Sequence, residues 1–414
     1  MKSVKKECII EETNKRNAPT RKEQTMLKRN RLSEHIRETD WVLLILCAVT
    51  SAFGVLMVHS ATIVDIEGNA HISRDTRTMV LAVIMGLAIA AAVSFIDFNF
   101  ITKLFPVIGA VCVLLMLVLF IPGVGVGPAE RQDVKTWISI PGSGLYFQPS
   151  ELVKIGFVIT LGMHLDIVRD RLREIKQLLF LCIHGMVPVG LVILSGDLGS
   201  ALVFMAIFIS MMFCAGVQLR YFVIGAAAVC AAAPGVWYFL FSNTQKERFL
   251  GLIYPDLYKD IMYQQNYGLE AIRHGGLLGQ GLFKGSYTQA GLVPESENDM
   301  IFTCIGEELG LVGCVVCLLL LLSIAFRIIQ IGSRQFVGST ELMCYGMATM
   351  IAFQVLVNVG VCLKILPVIG ITLPFFSAGG SSTLCVYIGI GLILSFYRAN
   401  KEKEIINLRF TEFD

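Results

Sequence analysis

Charge is what this sequence has least of. Of its 414 residues only 16% are Asp, Glu, Lys or Arg, where a soluble domain normally carries about 25%. Tryptophan (3) and histidine (6) are also scarce. The formal net charge of +2 leaves no electrostatic footprint for nucleic acid. There is no nucleotide-binding signature and no second soluble domain that could hydrolyse ATP. Apolar residues fill the space instead: 55% of the chain is hydrophobic and its mean hydropathy is +0.69. Ten spans of roughly 20 residues would take about half the length. These values exclude a Rossmann enzyme, a soluble barrel and a disordered regulator, and they predict an all-α polytopic membrane protein.

The few charges are unevenly placed. Residues 1–40 hold eleven of the 34 Lys and Arg, beside seven Asp and Glu, and read as a basic cytoplasmic tail. No small-residue cleavage site follows the apolar run that starts at Trp41, so the opening does not read as a secretory signal. Eleven of the 12 cysteines lie in apolar segments or at their edges. Cys314 and Cys317 have CxxC spacing but no second pair nearby, which fits packing better than metal binding.

Apolar segments at 41–60, 78–96, 101–121, 149–165, 178–194, 198–215, 220–240, 301–325, 340–362 and 371–397 predict about ten transmembrane helices. They form a membrane domain over 41–397, followed by a tail over 398–414. Arg169, Arg171, Arg173 and Lys176 in one connection, Arg327 and Arg334 in another, and Lys103, Arg220, Arg398, Lys401 and Lys403 all fall at one side. The positive-inside rule then puts both termini in the cytoplasm. Residues 122–148 and the one large loop, 241–300, fall outside. That loop carries five basic and seven acidic residues.

Polar groups within apolar segments need partners or a cavity. Glu151 and Lys154 share a helix face at i,i+3 spacing. They read either as a mutually satisfied pair that orients the helix or as the lining of an internal cavity. Gly196-Asp197-Leu198-Gly199 marks a turn between two closely spaced spans. Gly275, Gly276, Gly279, Gly281 and Gly285 make a tight external turn, or expose amides able to hold an anion. His274 beside them reads as a structural hydrogen-bonding residue. Asp299 immediately precedes the eighth span, where a helix N-terminus would keep a carboxylate ionised, as a cap, as a base or beside a phosphate-bound cation. Glu307 and Glu308 point to different parts of one helix surface, so at least one needs a polar partner. The small residues from Ser377 to Ser382 permit close helix packing or a broken helix.

Several of these segments together resemble one family. Gln148-Pro149-Ser150-Glu151-Leu152-Val153-Lys154 is followed by Asp197-Leu198-Gly199-Ser200 and by Gly275-Gly276-Leu277-Leu278-Gly279-Gln280-Gly281. Then come Pro294-Glu295 with Asp299-Met300-Ile301-Phe302, Glu307-Glu308-Leu309-Gly310-Leu311-Val312-Gly313 and Asn358-Val359-Gly360. Leu366-Pro367-Val368-Ile369-Gly370, Leu373-Pro374-Phe375-Phe376-Ser377 and Gly379-Gly380-Ser381-Ser382 close the series. In this order they are similar to the shape, elongation, division and sporulation (SEDS) proteins, to which RodA and FtsW belong, over roughly residues 41–397. Departures from the common pattern fall at Thr136, Gly196, His274, Asn298, Met300, Lys364 and Ala378.

The resemblance implies a ten-span enzyme that polymerises lipid II on the outer side of the bacterial cytoplasmic membrane. It also implies a class B penicillin-binding protein as partner, within elongation, division or sporulation machinery. Asp299 falls on the family's proposed catalytic carboxylate. The reaction displaces undecaprenyl diphosphate when a sugar 4-hydroxyl attacks an anomeric carbon, so a positioned base helps most. Arg248, in a stretch that matches a basic family position, is the first candidate to compensate the diphosphate. Lys284 and the amides of Gly275, Gly276 and Gly279 come second. Glu151 and Lys154 would form the polar floor of a lipid groove. A magnesium or manganese ion bridging diphosphate and Asp299 is a further role open to that carboxylate. The competing readings are a lipid II flippase and a non-catalytic scaffold for the penicillin-binding protein.

Overall fold

The computed structural model describes residues 37–63, 72–127, 134–140 and 145–411. Most of the expected basic tail, 1–36, lies outside them. The chain divides into two compact units, Met1–Asp40 with Lys401–Asp414, and Trp41–Asn400. The first unit is described only at its edges, where Lys401 Nζ donates to the Arg37 carbonyl at 3.5 Å. All site residues belong to the second.

Twelve helices account for nearly everything. They are α1 (Trp41–Ala61), α2 (Arg74–Ser94), α3 (Phe98–Val118), α4 (Pro149–Ile167), α5 (Ile175–Leu194) and α6 (Leu198–Cys214). After them come α7 (Leu219–Gly235), α8 (Asn243–Ile253), α9 (Tyr263–Gly275), α10 (Ile301–Gly332), α11 (Gly338–Cys362) and α12 (Gly380–Thr411). Among the described residues, eight segments are long and apolar enough to cross a membrane: α1, α2, α3, α5, α7 with its π-helical continuation to Phe239, α10, α11 and α12. The expected count of ten included α6, which has 17 residues, and α4, which carries Glu151 and Lys154 on its first turns. The last span starts at Gly380 rather than 371, because residues 363–379 form an irregular segment ahead of it.

The predicted turns are made by the residues expected to make them. Pro149 opens α4, where its missing N–H leaves no bond unmade. Asp197 caps α6 by accepting from the Ser200 amide at 2.9 Å. The segment before α4, expected as an external loop over 122–148, contains a small antiparallel sheet. Its strands are β1 (Gly125–Val126), β2 (Trp137–Ile140) and β3 (Leu145–Phe147). Their register pairs Val126 with Trp137 and Ile138 with Phe147. The sheet rests on the α5–α6 turn, where the Lys135 amide donates to the Ser195 carbonyl at 2.9 Å.

The large loop is not a free excursion. Helix α8 starts in a capping box between Ser242 and Gln245. Helix α9 lies against the start of α10 so closely that a Cβ on Gly275 would overlap the Gly306 carbonyl. Beyond it the glycine-rich run docks into a break in α10. Gly310 adopts φ +65° and ψ −163°, which interrupts the helix and frees backbone groups on both sides. The loop satisfies them. Gln280 and Gly281 amides donate to the Glu307 and Glu308 carbonyls at 3.0 and 2.9 Å. Leu311 and Val312 amides donate to the Gly276 and Leu277 carbonyls at 2.9 and 3.2 Å. A buried helix break is tolerable only with such replacements.

Glu307 and Glu308, both fully buried, extend the same docking. The Glu307 carboxylate accepts from the amides of Tyr287 (2.7 Å) and Thr288 (2.9 Å) and from the Thr288 hydroxyl (2.8 Å). Glu308 accepts from Ser60 Oγ at 2.7 and 2.6 Å, from Gln289 Nε2 at 3.0 Å and from the Phe283 amide at 3.2 Å. Both acids therefore have partners, where the sequence required at least one of them to. Together they tie residues 283–289 to α10 and to the end of α1.

Candidate active site

The segments that surround Asp299 are stitched together from three sides. Glu295 adopts φ +55° and folds the chain back, so that the amides of Asn298 and Met300 both donate to its carbonyl at 3.0 Å. Asn358, near the end of α11 and 1% exposed, donates to the carbonyls of Asp299 and Ile371, each at 2.8 Å. Ser377 Oγ donates to the Asn298 carbonyl at 2.7 Å, and the Ala378 amide to that of Glu297 at 2.9 Å. Residues 294–300 and the irregular segment 363–379 thus make one unit.

This stitching uses the backbone and leaves the Asp299 carboxylate alone. Asp299 is half-buried as a residue, but its Oδ1 is sealed from solvent and has no hydrogen-bond partner among the described residues. Burial, and then the carboxylate of Glu295, push Asp299 up to about 7. A bond to its own backbone N–H and the Arg248 guanidinium pull the other way, and Glu297 adds to the rise. The expectation that a helix N-terminus holds Asp299 ionised is therefore corrected. Met300, not Asp299, occupies the cap position of α10, without a side-chain cap. Desolvation and two like charges outweigh the dipole.

Arg248 sits one turn into α8 and donates through Nη1 to the Val368 carbonyl at 2.9 Å. It is both a cation acting on Asp299 and a tie on the 363–379 segment. Helix α9 supplies two more ties. Gln265, 1% exposed, donates to the Val361 and Leu366 carbonyls at 2.8 and 2.7 Å, and Lys364 Nζ reaches Asn266 Oδ1 at 2.7 Å. Lys284 is exposed on the 283–289 segment, whose backbone is held by Glu307 and Glu308 rather than by the Asp299 turn.

The glycine amides are spent elsewhere. Gly276 donates to Arg273, Gly279 to Gly275, and Gln280 and Gly281 to α10, all through backbone carbonyls. The expectation that the amides around Gly275, Gly276 and Gly279 stand free for an anion is corrected: these glycines serve close docking. His274 bonds Gln280 and approaches Ser286 Oγ at 3.4 Å, the structural part expected of it.

Glu151 and Lys154 form a buried ion pair at 2.8 Å, with side chains 8% and 1% exposed. Gln148 Nε2 donates to Asp197 Oδ2 at 2.9 Å, and Ser382 Oγ approaches Glu151 Oε2 at 3.4 Å. The Asp197 carboxyl is raised by burial, against the pull of the Ser200 amide and of Lys154. This polar cluster joins the first turns of α4, α6 and α12. It reaches the Asp299 unit through the intervening loop, by Thr372 Oγ1 to Ser382 Oγ at 3.3 Å and Asn358 to Ile371. Among the described residues no three His, Cys, Asp or Glu side chains come together as a metal site. The Asp299 carboxylate is a single ligand, the number that a magnesium ion held otherwise by substrate phosphates and water would need.

The sequence profile of the FtsW/RodA/SpoVE cell cycle proteins matches residues 40–402. The chain belongs to this family. A probable peptidoglycan glycosyltransferase FtsW of Geobacter sulfurreducens is 31% identical over 368 residues, covering 87% of this chain and 96% of that protein. The peptidoglycan glycosyltransferase MrdB of Escherichia coli is 28% identical, over 84% and 91% of the two chains. Among solved structures, a chain from a peptidoglycan synthase complex that coordinates polymerization and crosslinking superposes with a TM-score of 0.72. It is 28% identical and covers 87% of this chain and 98% of its own. The crystal structure of Thermus thermophilus RodA gives a TM-score of 0.63 at 26% identity, with 87% and 97% coverage. Glu151 and Ser382, 231 positions apart in the chain, meet in the polar cluster described above.

Proposed function

We propose that Asp299 is the general base of a lipid II polymerase. The chain is a peptidoglycan glycosyltransferase of the FtsW/RodA type. The observation that carries the residue assignment is a carboxylate oxygen that is buried, without a partner and near neutral in proton affinity. A base works best when its pKa lies close to the operating pH, because it is then deprotonated in part and still binds a proton strongly. Asp299 takes the proton of the acceptor sugar's 4-hydroxyl as that oxygen attacks the anomeric carbon of the donor. Undecaprenyl diphosphate leaves with the bonding pair, and one in-line displacement turns the α linkage into a β-1,4 bond. Arg248 faces the charge that develops on the diphosphate. A bound divalent ion would add charge neutralisation there.

The orientation follows from charge. Arg169, Arg171, Arg173, Lys176, Arg220, Arg327 and Arg334 lie at the far ends of the helices whose near ends carry the Asp299 cluster. By the positive-inside rule the basic end is cytoplasmic, so the Asp299 end faces outward and both termini lie inside. This reading counts α4 and α6 among ten spans. The Glu151–Lys154 pair serves as the polar floor of a groove open to lipid, and Lys284 as an outer contact for the substrate headgroup. The partner is a class B penicillin-binding protein, which crosslinks the strands this chain makes. The solved relative in a peptidoglycan synthase complex supports that pairing.

The test is purified chain, with and without its cognate penicillin-binding protein, given labelled lipid II in proteoliposomes. Glycan strands with release of undecaprenyl diphosphate are expected. Movement of lipid II between leaflets without polymer would overturn the assignment in favour of a flippase.

A further inference from the structure

The end of the bundle away from Asp299 holds a cavity that the reaction does not use. Its volume is about 320 Å³, and it lies between the α4–α5 connection and the α6–α7 turn. Arg169 and Arg173 line one side, with Asp170 beside them, and Gly216 and Gln218 line the other. Helix α6 runs between this cavity and the polar cluster at Asp197, so its 17 residues separate the two by roughly 25 Å.

Three features make the cavity receptive to an anion. Arg169 and Arg173 form no ion pair with any described residue. Helix α7 starts at the cavity with Gln218 as its N-cap and without a side-chain cap; the Tyr221 amide turns back to the Gln218 carbonyl, which leaves those of Leu219 and Arg220 for a ligand. The surrounding segments 166–176 and 215–220 carry Arg169, Arg171, Arg173, Lys176 and Arg220 against Asp166, Asp170 and Glu174. Arg220 is engaged with Tyr221, over whose ring it stacks at 4.9 Å.

The rim decides which anion. Ile167 (56% exposed), Ile175 (75%), Phe213 (63%) and Leu219 (67%) stand within two residues of lining positions in the chain, at the ends of α4, α5, α6 and α7. A free phosphate has no use for such a rim. An anionic phospholipid would place its phosphate between the arginines and lay its acyl chains along these side chains. We propose that this cavity is a binding site for the headgroup of an anionic phospholipid, with Arg169, Arg173 and the α7 N-terminus as its phosphate contacts.

The experiment uses the full chain in detergent with phosphatidylglycerol as probe, read by retained lipid in native mass spectrometry and by thermal shift. Phosphatidylcholine and inorganic phosphate are the comparison arms. Tight retention of phosphatidylglycerol alone is expected, weakened at least tenfold in Arg169→Gln/Arg173→Gln and unchanged in Arg171→Gln, whose side chain is outside the lining. The single charge reversal Arg173→Glu should also abolish retention, which keeps the test open should the double variant misfold. Equal retention by the parent and Arg173→Glu would overturn the site. Inorganic phosphate binding as tightly as phosphatidylglycerol would overturn the lipid assignment.

Discussion

Removing the Asp299 carboxylate should make the protein more stable while it lowers activity by about 10²–10⁴-fold. Asp299 titrates at about 7 in the folded chain against 3.8 when unperturbed. Between those values the folded chain keeps a proton that the unfolded chain has lost, so the native state binds more protons and stability falls as pH rises. Roughly three pH units at about 1.36 kcal/mol each give a ceiling of about 4 kcal/mol, fully expressed above pH 7. The residue is half-buried, so solvent screening lowers the realised figure. Asp299→Asn has no such titration. Apparent unfolding temperatures of parent and variant, measured side by side in one detergent from pH 4 to 9, should nearly coincide at the acid end. They should then diverge in favour of the variant up to about pH 7 and run parallel above it. A difference that does not change with pH, or one that favours the parent at high pH, would refute the claim that this carboxylate is held in an unfavourable environment. Functional groups are where such a cost is expected.

Other consequences follow from the same contacts. The pH at which polymerisation reaches half its plateau should fall in Glu295→Gln, which removes a neighbouring negative charge, and rise in Arg248→Gln, which removes a positive one. Rate profiles from pH 5 to 9 check both signs. Glu151→Gln or Lys154→Met alone leaves one charge buried and should destabilise the protein by about 3–5 kcal/mol, whereas the double substitution recovers most of that loss. Unfolding of the three variants tests the pairing. Glu307→Gln turns an amide N–H₂ toward the donors at Tyr287 and Thr288, and should release the 283–289 segment at a cost of about 2–3 kcal/mol. Faster hydrogen exchange confined to that segment is the signature.

The membrane class and most of the helices were legible because long apolar runs leave few alternatives. The Glu151–Lys154 pair and the Asp197 turn were legible because local spacing fixes them. The counts diverged at α4 and α6, where charge and short length blur a span. Residues 371–379 are apolar enough to read as helix, yet they form an irregular segment held to Asn358 through Ile371, to Asn298 through Ser377 and to Glu297 through Ala378. Those bonds come from residues distant in sequence, and no local pattern reports them. The same holds for the glycine run. Its composition left a tight turn and free amides both open, and the break at Gly310, itself a single glycine in a helical stretch, determined that those amides would be used. Gln265 in the large loop and Ser60 at the end of α1 were also missed as tethers, since a lone polar residue looks the same in sequence whether it faces water or a buried acceptor. The two adjacent acids, Glu307 and Glu308, were the available hint that a partner segment must pack against that helix.

The central claim is that the carboxylate of Asp299 removes a proton during glycan bond formation. Initial rates of undecaprenyl diphosphate release by the purified chain with its transpeptidase partner and saturating lipid II, compared with Asp299→Asn under identical conditions, test it most directly. The account predicts a loss of about 10²–10⁴-fold with lipid II binding retained. Rates within a few-fold of each other would contradict it.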